Sequence, residues 1–227
     1  FDVYPLNNIT ITKAKGSYVW DEKGTEYLDM YGGHAVISIG HTHLYWVSAI
    51  ETQLHQIAFY SNSVIIPIQT QLAEKIGTVS GKENFQLFLC NSGAEANENA
   101  LRLAFKLTGR TEAVALEQGW HGRTAAAGAI TWGAAEKWYG FPRTPFDAKW
   151  VSRSDVDAAC AGITEKTAAV IVEPVQGVGG AYDIGQAMAD ALRRRCDETG
   201  AVLIFDEVQS GMGRVGQPFG ANLYGVQ

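Results

Sequence analysis

Cysteine is scarce in this sequence. Cys90, Cys160 and Cys196 are three in number, odd and scattered, which excludes a disulfide framework and points to a reducing compartment. No apolar run reaches the roughly 20 residues a membrane-spanning helix needs, and no signal-like stretch opens the chain; the cytoplasm is therefore the expected location. A basic excess is also missing. Eighteen Lys and Arg stand against 24 Asp and Glu for a net charge of -6, and the one basic run, Arg193-Arg194-Arg195, falls near the end of a predicted helix, where cations suit the helix dipole. A nucleic-acid partner is excluded on that balance. His41 and His43 lie two apart without a third ligand of suitable spacing, so turn and packing roles are expected rather than a metal. There is no internal repeat, linker or low-complexity tract.

What is present is an ordinary globular composition, 46% hydrophobic and 19% charged, with 25 glycines. The stretch 201–214, AVLIFDEVQSGMGR, organises the rest. Its first five residues predict a fully buried parallel strand, which leaves Asp206 and Glu207 at the carboxyl end of a strand, where open α/β sheets bind ligands. Two cofactor readings follow. A nucleotide hydrolase presents its magnesium-binding acid this way, but it also needs a Gly-rich loop ending in Gly-Lys-Ser/Thr; the one Gly-Lys pair, Gly81-Lys82, is followed by Glu83. In the other reading a buried carboxylate faces the pyridine nitrogen of pyridoxal phosphate and keeps it protonated, so that the ring can withdraw electrons. Asp206 is the candidate, with a strand or turn cap as its plain structural alternative.

Along the chain, residues 17–20 and 26–30 flank the turn Asp21-Glu22-Lys23-Gly24 and predict a hairpin. Apolar spacing over 44–60 (Trp46, Val47, Ile50, Leu54, Ile57, Ala58) predicts a helix with one buried face, and a second helix follows Pro67 with Ile68, Leu72, Ile76 and Val79 inward. Residues 85–90 read as a strand that turns through Asn91-Ser92-Gly93 into a helix carrying Ala96, Ala100, Leu101, Ala104 and Phe105. Ser92 and Glu95 form a capping box, and Gly93 beside the first free amides admits a phosphate to the helix's positive end. A strand at 112–117 leads to Trp120, placed either to stack on a flat ring or to pack in the core. Residues 133–149 read as an irregular surface passage and 155–161 as a short helix. A buried strand at 168–173 precedes the loop Gln176-Gly177-Val178-Gly179-Gly180, and a helix over 185–199 turns Ala187, Met188, Ala191, Leu192 and Cys196 inward. Alternation of strands and helices predicts an α/β fold with a mainly parallel sheet flanked by helices. The expected division is an N-terminal arm and hairpin over 1–43 and a cofactor-binding large domain over 44–227. A start at Phe1 and a stop in a loop at Gln227 lead to the expectation of a piece of a longer protein, its large domain incomplete.

Taken together, Asn91-Ser92-Gly93-Ala94-Glu95-Ala96-Asn97-Glu98, His121-Gly122-Arg123-Thr124, Glu173-Pro174-Val175-Gln176-Gly177 and Phe205-Asp206-Glu207-Val208-Gln209-Ser210-Gly211-Met212-Gly213-Arg214 closely resemble the class III pyridoxal-phosphate aminotransferases, above all their acylornithine branch. Tyr27-Leu28-Asp29 with Gly40-His41 fits as well. The resemblance implies fold type I, a homodimer, and transfer of an amino group from N-acetylornithine or a similar acylornithine to 2-oxoglutarate. It implies that Gly93 and Ala94, with Ser92 beside them, hold the cofactor phosphate, and that Asp206 meets the ring nitrogen. Trp120, where the family usually has phenylalanine or tyrosine, would stack on the ring, Val208 would pack on its other face, and Gln209 would approach its phenolic oxygen. Arg123 matches an arginine that holds the substrate. The family's Schiff-base lysine lies beyond the Asp206 motif, yet no lysine follows Lys166 here, so the 227 residues alone are expected to be inactive. Val178 stands where many relatives have glutamate, and Leu44 where proline is usual. Ornithine, succinylornithine and 4-aminobutyrate remain alternative donors, and a non-catalytic scaffold remains the reading from another class.

Overall fold

The computed structural model describes residues 6–61 and 63–226; the chain ends Phe1 and Gln227 lie outside the described residues. Two compact units are present, Phe1–Leu72 and Ala73–Gln227. In the first, β1 (Ile11–Lys15), β2 (Tyr18–Asp21) and β3 (Glu26–Leu28) form an antiparallel sheet in that order. The expected hairpin is β2–β3, with Val19 opposite Tyr27, and Asp21 Oδ1 closes its turn by accepting the amides of Lys23 (2.9 Å) and Thr25 (2.8 Å). After it, Asp29 accepts the amides of Tyr31 and Gly32, its other oxygen meets His41 Nε2 at 2.7 Å, and a short helical turn α1 (Gly32–Ala35) follows. His41 thus secures a turn. The next helix, α2 (Leu44–Gln56), starts where the spacing predicts, but none of its residues is buried. Periodicity specifies a helix; burial also needs a covering surface, which the described residues of this unit do not supply. In α3 (Pro67–Ser80) Gly77 and Ser80 are buried and Ile76 is half-buried, whereas Ile68, Leu72 and Val79 are exposed.

The second unit contains α4 (Gly93–Thr108), β4 (Glu112–Leu116), α5 (Ala125–Ala129), α6 (Ala134–Lys137), β5 (Asp147–Val151), α7 (Val156–Ala161), β6 (Thr167–Val172), β7 (Val175–Gln176), β8 (Tyr182–Asp183), α8 (Gly185–Thr199), β9 (Val202–Phe205) and α9 (Gly220–Leu223). Four strands make an all-parallel sheet in the order β5-β4-β6-β9. Strands β4 and β6 are buried throughout, and period-two alternation sends their side chains to two cores. Val114, Leu116, Val170 and Val172 pack with Met188, Leu192 and Cys196 of α8 and Ala159 of α7. Ala113, Ala115, Ala169 and Ile171 pack with Leu101 and Ala104 of α4 and Ala126 and Ala129 of α5. Burial pushes the Cys196 thiol up to about 12, as suits a small core side chain rather than a reactive one.

Several expectations change. Residues 85–90 are not a strand: the segment is exposed, with Phe85, Phe88 and Leu89 open to solvent. Apolar, β-prone residues become a strand only when a neighbour takes up their backbone groups. Here a cavity of about 370 Å³ separates Phe85 and Leu87 from Leu203 and Phe205 of β9. For the same reason β9 is parallel but only half-buried, since among the described residues it pairs with β6 alone. Within the stretch read as irregular, α6 forms and Asp147 begins β5, an edge strand whose exposed Asp147 and Lys149 hid it from an apolar-run criterion. Lys149 reaches Glu112 as an ion pair. On α4 the buried stripe runs Asn97, Leu101, Ala104, leaving Ala96 exposed, and on α8 Ala189 is buried in place of Ala187.

Leu192 is 0% exposed at the centre of the α8 core. Leu192→Ala is expected to lower the unfolding free energy by about 2–5 kcal/mol, whereas Leu103→Ala, at a position 61% exposed on α4, is expected to change it by less than about 0.5 kcal/mol. Urea denaturation of the two variants checks the contrast.

Candidate active site

The order of the sheet decides where a site can form. The chain passes from β4 to β5 on one side and then returns to place β6 on the other side of β4, so the strand order reverses at β4. In open α/β sheets the crevice at such a reversal, beyond the carboxyl ends of the strands, is where ligands bind. Trp120 and His121 follow β4, Glu173 follows β6 and Asp206 follows β9.

Asp206 is 5% exposed. Its Oδ2 accepts from Asn97 Nδ2 at 2.7 Å and faces His121 Nδ1 at 2.8 Å, while Oδ1 accepts the Val208 amide at 3.2 Å. A carboxylate offers about four lone-pair sites, so Oδ1 keeps room for one more donor. Asn97 also donates to the His121 carbonyl at 2.8 Å. The backbone amide of His121 donates to Thr131 Oγ1 at 3.0 Å, and that hydroxyl bonds back to the carbonyls of Gly122 and Ala127. His121 is therefore fixed at its backbone and at Nδ1, and its buried Nε2 has no hydrogen-bond partner among the described residues.

Glu173 is the second buried carboxyl. It accepts the amide of Trp120 on Oε1 (2.7 Å) and that of Gly177 on Oε2 (3.1 Å), tying the loops after β4 and β6 together. Burial holds its carboxyl above the ordinary glutamate range; the neighbouring Asp206 pushes the same way, and the two amides and His121 pull back.

The eight residues singled out from the sequence converge. Ser92 caps α4, its hydroxyl accepting the Glu95 amide at 3.2 Å, and Glu95 reaches back to the Asn91 amide at 2.7 Å, one residue earlier than the usual reciprocal bond. A Cβ on Gly93 would lie 2.6 Å from Val208 Cγ2, and one on Gly122, at φ +129°, would lie 2.6 Å from Ala94 Cβ. Gln209 packs so closely on Gly177 that a Cβ there would overlap its side-chain oxygen. The guanidinium of Arg123 stands 5.3 Å from the Trp120 ring centre. Ser92, Gly93, Ala94, Trp120, Arg123, Asp206, Val208 and Gln209 thus belong to one connected cluster, all within the second unit. Sequence reasoning missed Asn97, His121 and Glu173 as site residues. Asn97 had a signal: it lies four residues before Leu101, a polar side chain on an apolar stripe. Glu173 had another, as an acid directly after a buried strand, like Asp206.

Removing the Glu173 carboxyl leaves two amides without their acceptor, so Glu173→Ala is expected to cost about 2 kcal/mol or more in thermal or urea unfolding. Because the folded-state value lies above the unfolded one, the stability tied to its proton is present on the acid side of the ordinary glutamate value and is lost as pH rises through the folded value. The advantage of the wild type over Glu173→Gln in urea unfolding is therefore expected to shrink from pH 4 toward pH 7. A constant difference across that range would contradict the assignment.

Comparison with known proteins agrees with this geometry. The family model described as aminotransferase class-III matches residues 3–227. An acetylornithine aminotransferase of Methanosarcina acetivorans is 40% identical over 224 residues, 99% of this chain and 56% of that protein. A [LysW]-aminoadipate semialdehyde/glutamate semialdehyde transaminase of Sulfurisphaera tokodaii is 35% identical over 226 residues, 99% of this chain and 57% of that protein. Among solved structures, an amine transaminase from an uncultivated Pseudomonas species in its PLP-bound form superposes with a TM-score of 0.87 at 27% identity, over 97% of this chain and 56% of that one. The chain spans about half the length of the relatives it matches. With the match running from residue 3 to the last residue, the chain belongs to the class-III aminotransferase family.

Proposed function

We propose that this chain is the cofactor-binding part of a pyridoxal-phosphate-dependent aminotransferase, a cytoplasmic homodimer that moves the amino group of N-acetylornithine or a similar acylornithine to 2-oxoglutarate. The observation that carries the proposal is Asp206, a buried carboxylate at the carboxyl end of β9 that meets the loop after β4, with one oxygen saturated by Asn97 and His121 and the other able to accept one more donor. Such a group fits a protonated ring nitrogen. The cradle fits too: α4 presents the first amides of a 16-residue helix behind Gly93 and Ala94, the arrangement that receives a phosphate. Exposed apolar side chains on α2 (Leu44, Tyr45, Leu54) and on α4 (Leu103, Leu107) support a dimer. Among the described residues no helix is long and apolar enough to cross a membrane.

Bound there, pyridoxal phosphate supplies a cationic ring that withdraws electrons from the amine-bearing carbon. The residues of this chain do the rest by position. Asp206 would hold a proton on the ring nitrogen, and His121 with Asn97 fixes its carboxylate by meeting Oδ2. Trp120 and Val208 would enclose the ring and exclude water; Ser92, Gly93 and Ala94 would hold the phosphate, and Gln209 would approach the ring hydroxyl. Arg123 takes the substrate's carboxylate, for which the guanidinium fork is matched. Since no lysine follows Lys166, the amine that binds the cofactor covalently is not among residues 167–227, and these 227 residues alone are expected not to turn over. Val178, exposed in the loop between β7 and β8, leaves the donor to be chosen among acylornithines and other ω-amines.

In the intact enzyme, Asp206→Asn is expected to lower kcat by about a hundredfold or more with the circular-dichroism spectrum retained; near-normal turnover would remove Asp206 from the mechanism. The specificity constant is expected to be highest for an acylornithine among N-acetylornithine, ornithine, succinylornithine and 4-aminobutyrate, and a higher value for one of the others would reassign the donor.

A further inference from the structure

Arg153 stands outside the motifs, in the loop between β5 and α7, and reaches across to the glycine-rich loop between β7 and β8. Its Nη1 donates to the Gln176 side-chain oxygen at 3.1 Å and to the Gly179 carbonyl at 3.0 Å. The guanidinium carbon lies 4.3 Å from the centre of the Tyr182 ring, a cation–π contact, and the Tyr182 hydroxyl donates to the Arg153 carbonyl at 3.3 Å. Since Gln176 of β7 pairs with Tyr182 of β8, Arg153 grips both limbs of this small hairpin. The grip acts on a buried group. Gln176 is 0% exposed, and its amide nitrogen donates to the Glu117 carbonyl at 2.9 Å; taking the guanidinium away leaves its buried oxygen without that donor, which is costly. A Cβ on Gly179 would lie 3.0 Å from the Gln176 oxygen and 3.1 Å from the Gln118 carbonyl oxygen, so the tip has little room to shift. From the other side, Glu173 accepts the Gly177 amide at 3.1 Å, and the amides of Gly180 and Ala181 turn back onto the Gly177 carbonyl at 3.1 and 3.3 Å. Gly177 is thus held from two directions, and it is on its bare face that the side-chain amide of Gln209 sits.

We infer that Arg153 is a positioning residue: by fixing the loop that carries Gly177 it fixes the side-chain amide of Gln209, and so sets how well Gln209 donates to the phenolic oxygen of the cofactor ring. The inference rests on the proposed role of Gln209 and extends it to a residue outside the motifs. Hydrogen bonds weaken steeply with misalignment, so a loop released at Gln176 and Gly179 gives Gln209 a poorer seat even though its own side chain is intact. A donor held on the phenolic oxygen draws on the lone pairs that keep the adjacent proton of the bound cofactor in place. Losing the donor therefore raises the pH at which that proton leaves and the visible absorbance band fades.

The test uses the intact enzyme loaded with pyridoxal phosphate and reads the pH midpoint of that band. Arg153→Met and Gln209→Ala are each expected to raise the midpoint by roughly half a pH unit to one unit, the scale of one hydrogen bond. Tyr182→Leu keeps both bonding partners of Arg153 and removes the ring it stacks on; it is expected to raise the midpoint by less, and it stands in should Arg153→Met fail to fold. In a Gln209→Ala background, Arg153→Met is expected to add nothing. A further rise there would mean that the lost positive charge acts on the ring directly and would overturn the inference, as would an unmoved midpoint in both Arg153→Met and Tyr182→Leu. Hydrogen exchange of the intact protein without cofactor reads the loop itself: the amides of Gly180 and Ala181 are expected to exchange at least about threefold faster in Arg153→Met, and equal rates would also overturn it. A wild-type enzyme that shows no titrating visible band with pyridoxal phosphate would overturn the cofactor reading and this inference together, whereas a band whose midpoint ignores Arg153 and Tyr182 overturns the inference alone.

Discussion

The second unit depends on one buried carboxylate and the donors that satisfy it. Asp206 follows β9, Asn97 lies on α4 and His121 follows β4, so three segments far apart in sequence meet at a single pair of oxygens. An ionised group buried without partners costs several kcal/mol. The register of α4 over the sheet and the path of the loop after β4 are therefore fixed together: moving either one removes a donor from a charge that water does not reach. Thr131 extends the constraint by holding the same loop from its other side.

A second acid sits beside the first for a reason of register. Parallel pairing of β6 and β9 places Val172 opposite Phe205, so the next residues, Glu173 and Asp206, emerge level at the carboxyl ends. Two carboxyls so placed are tolerable because they are stabilised differently. Asp206 is met by side chains of the helix and of the loop after β4; Glu173 is met by backbone amides of two loops and is held above the usual glutamate range by burial. Asp206 gathers the side-chain donors of the site and Glu173 organises its walls, since the amide it accepts belongs to Trp120.

Much of this was legible in the sequence where a local rule governs. The helices at 93–108 and 185–199, the hairpin at Asp21 and the two central strands follow from caps, turn residues and apolar runs, each of which acts over a few residues. Residues 85–90 and the exposed face of α2 were misread because their burial depends on a partner surface that periodicity does not encode. Edge strand β5 was hidden by Asp147 and Lys149, whose charges suit an edge and mimic a loop. Within the site, the motif residues were legible as a pattern, whereas the bonds that join Asn97 to His121 and Asp206, and Glu173 to Trp120, span 24 to 109 positions, a distance at which spacing along the chain does not name the partner.

The small residues of the motifs have a steric explanation independent of any resemblance. Gly93 opens α4 against Val208, and Ala94 packs against Gly122, so the first turn of the helix is pressed between the loop after β9 and the loop after β4. A Cβ at either glycine would need to occupy space within 2.6 Å of a neighbouring carbon, and at Gly122 the backbone conformation disfavours any side chain as well. Pushing those loops outward would carry Asp206 away from Asn97 on one side and His121 away from Asp206 on the other. Close approach at the helix terminus and saturation of the buried carboxylate are thus a single requirement, which is why glycine and alanine at the start of α4 and the acid after β9 must occur together for either to serve.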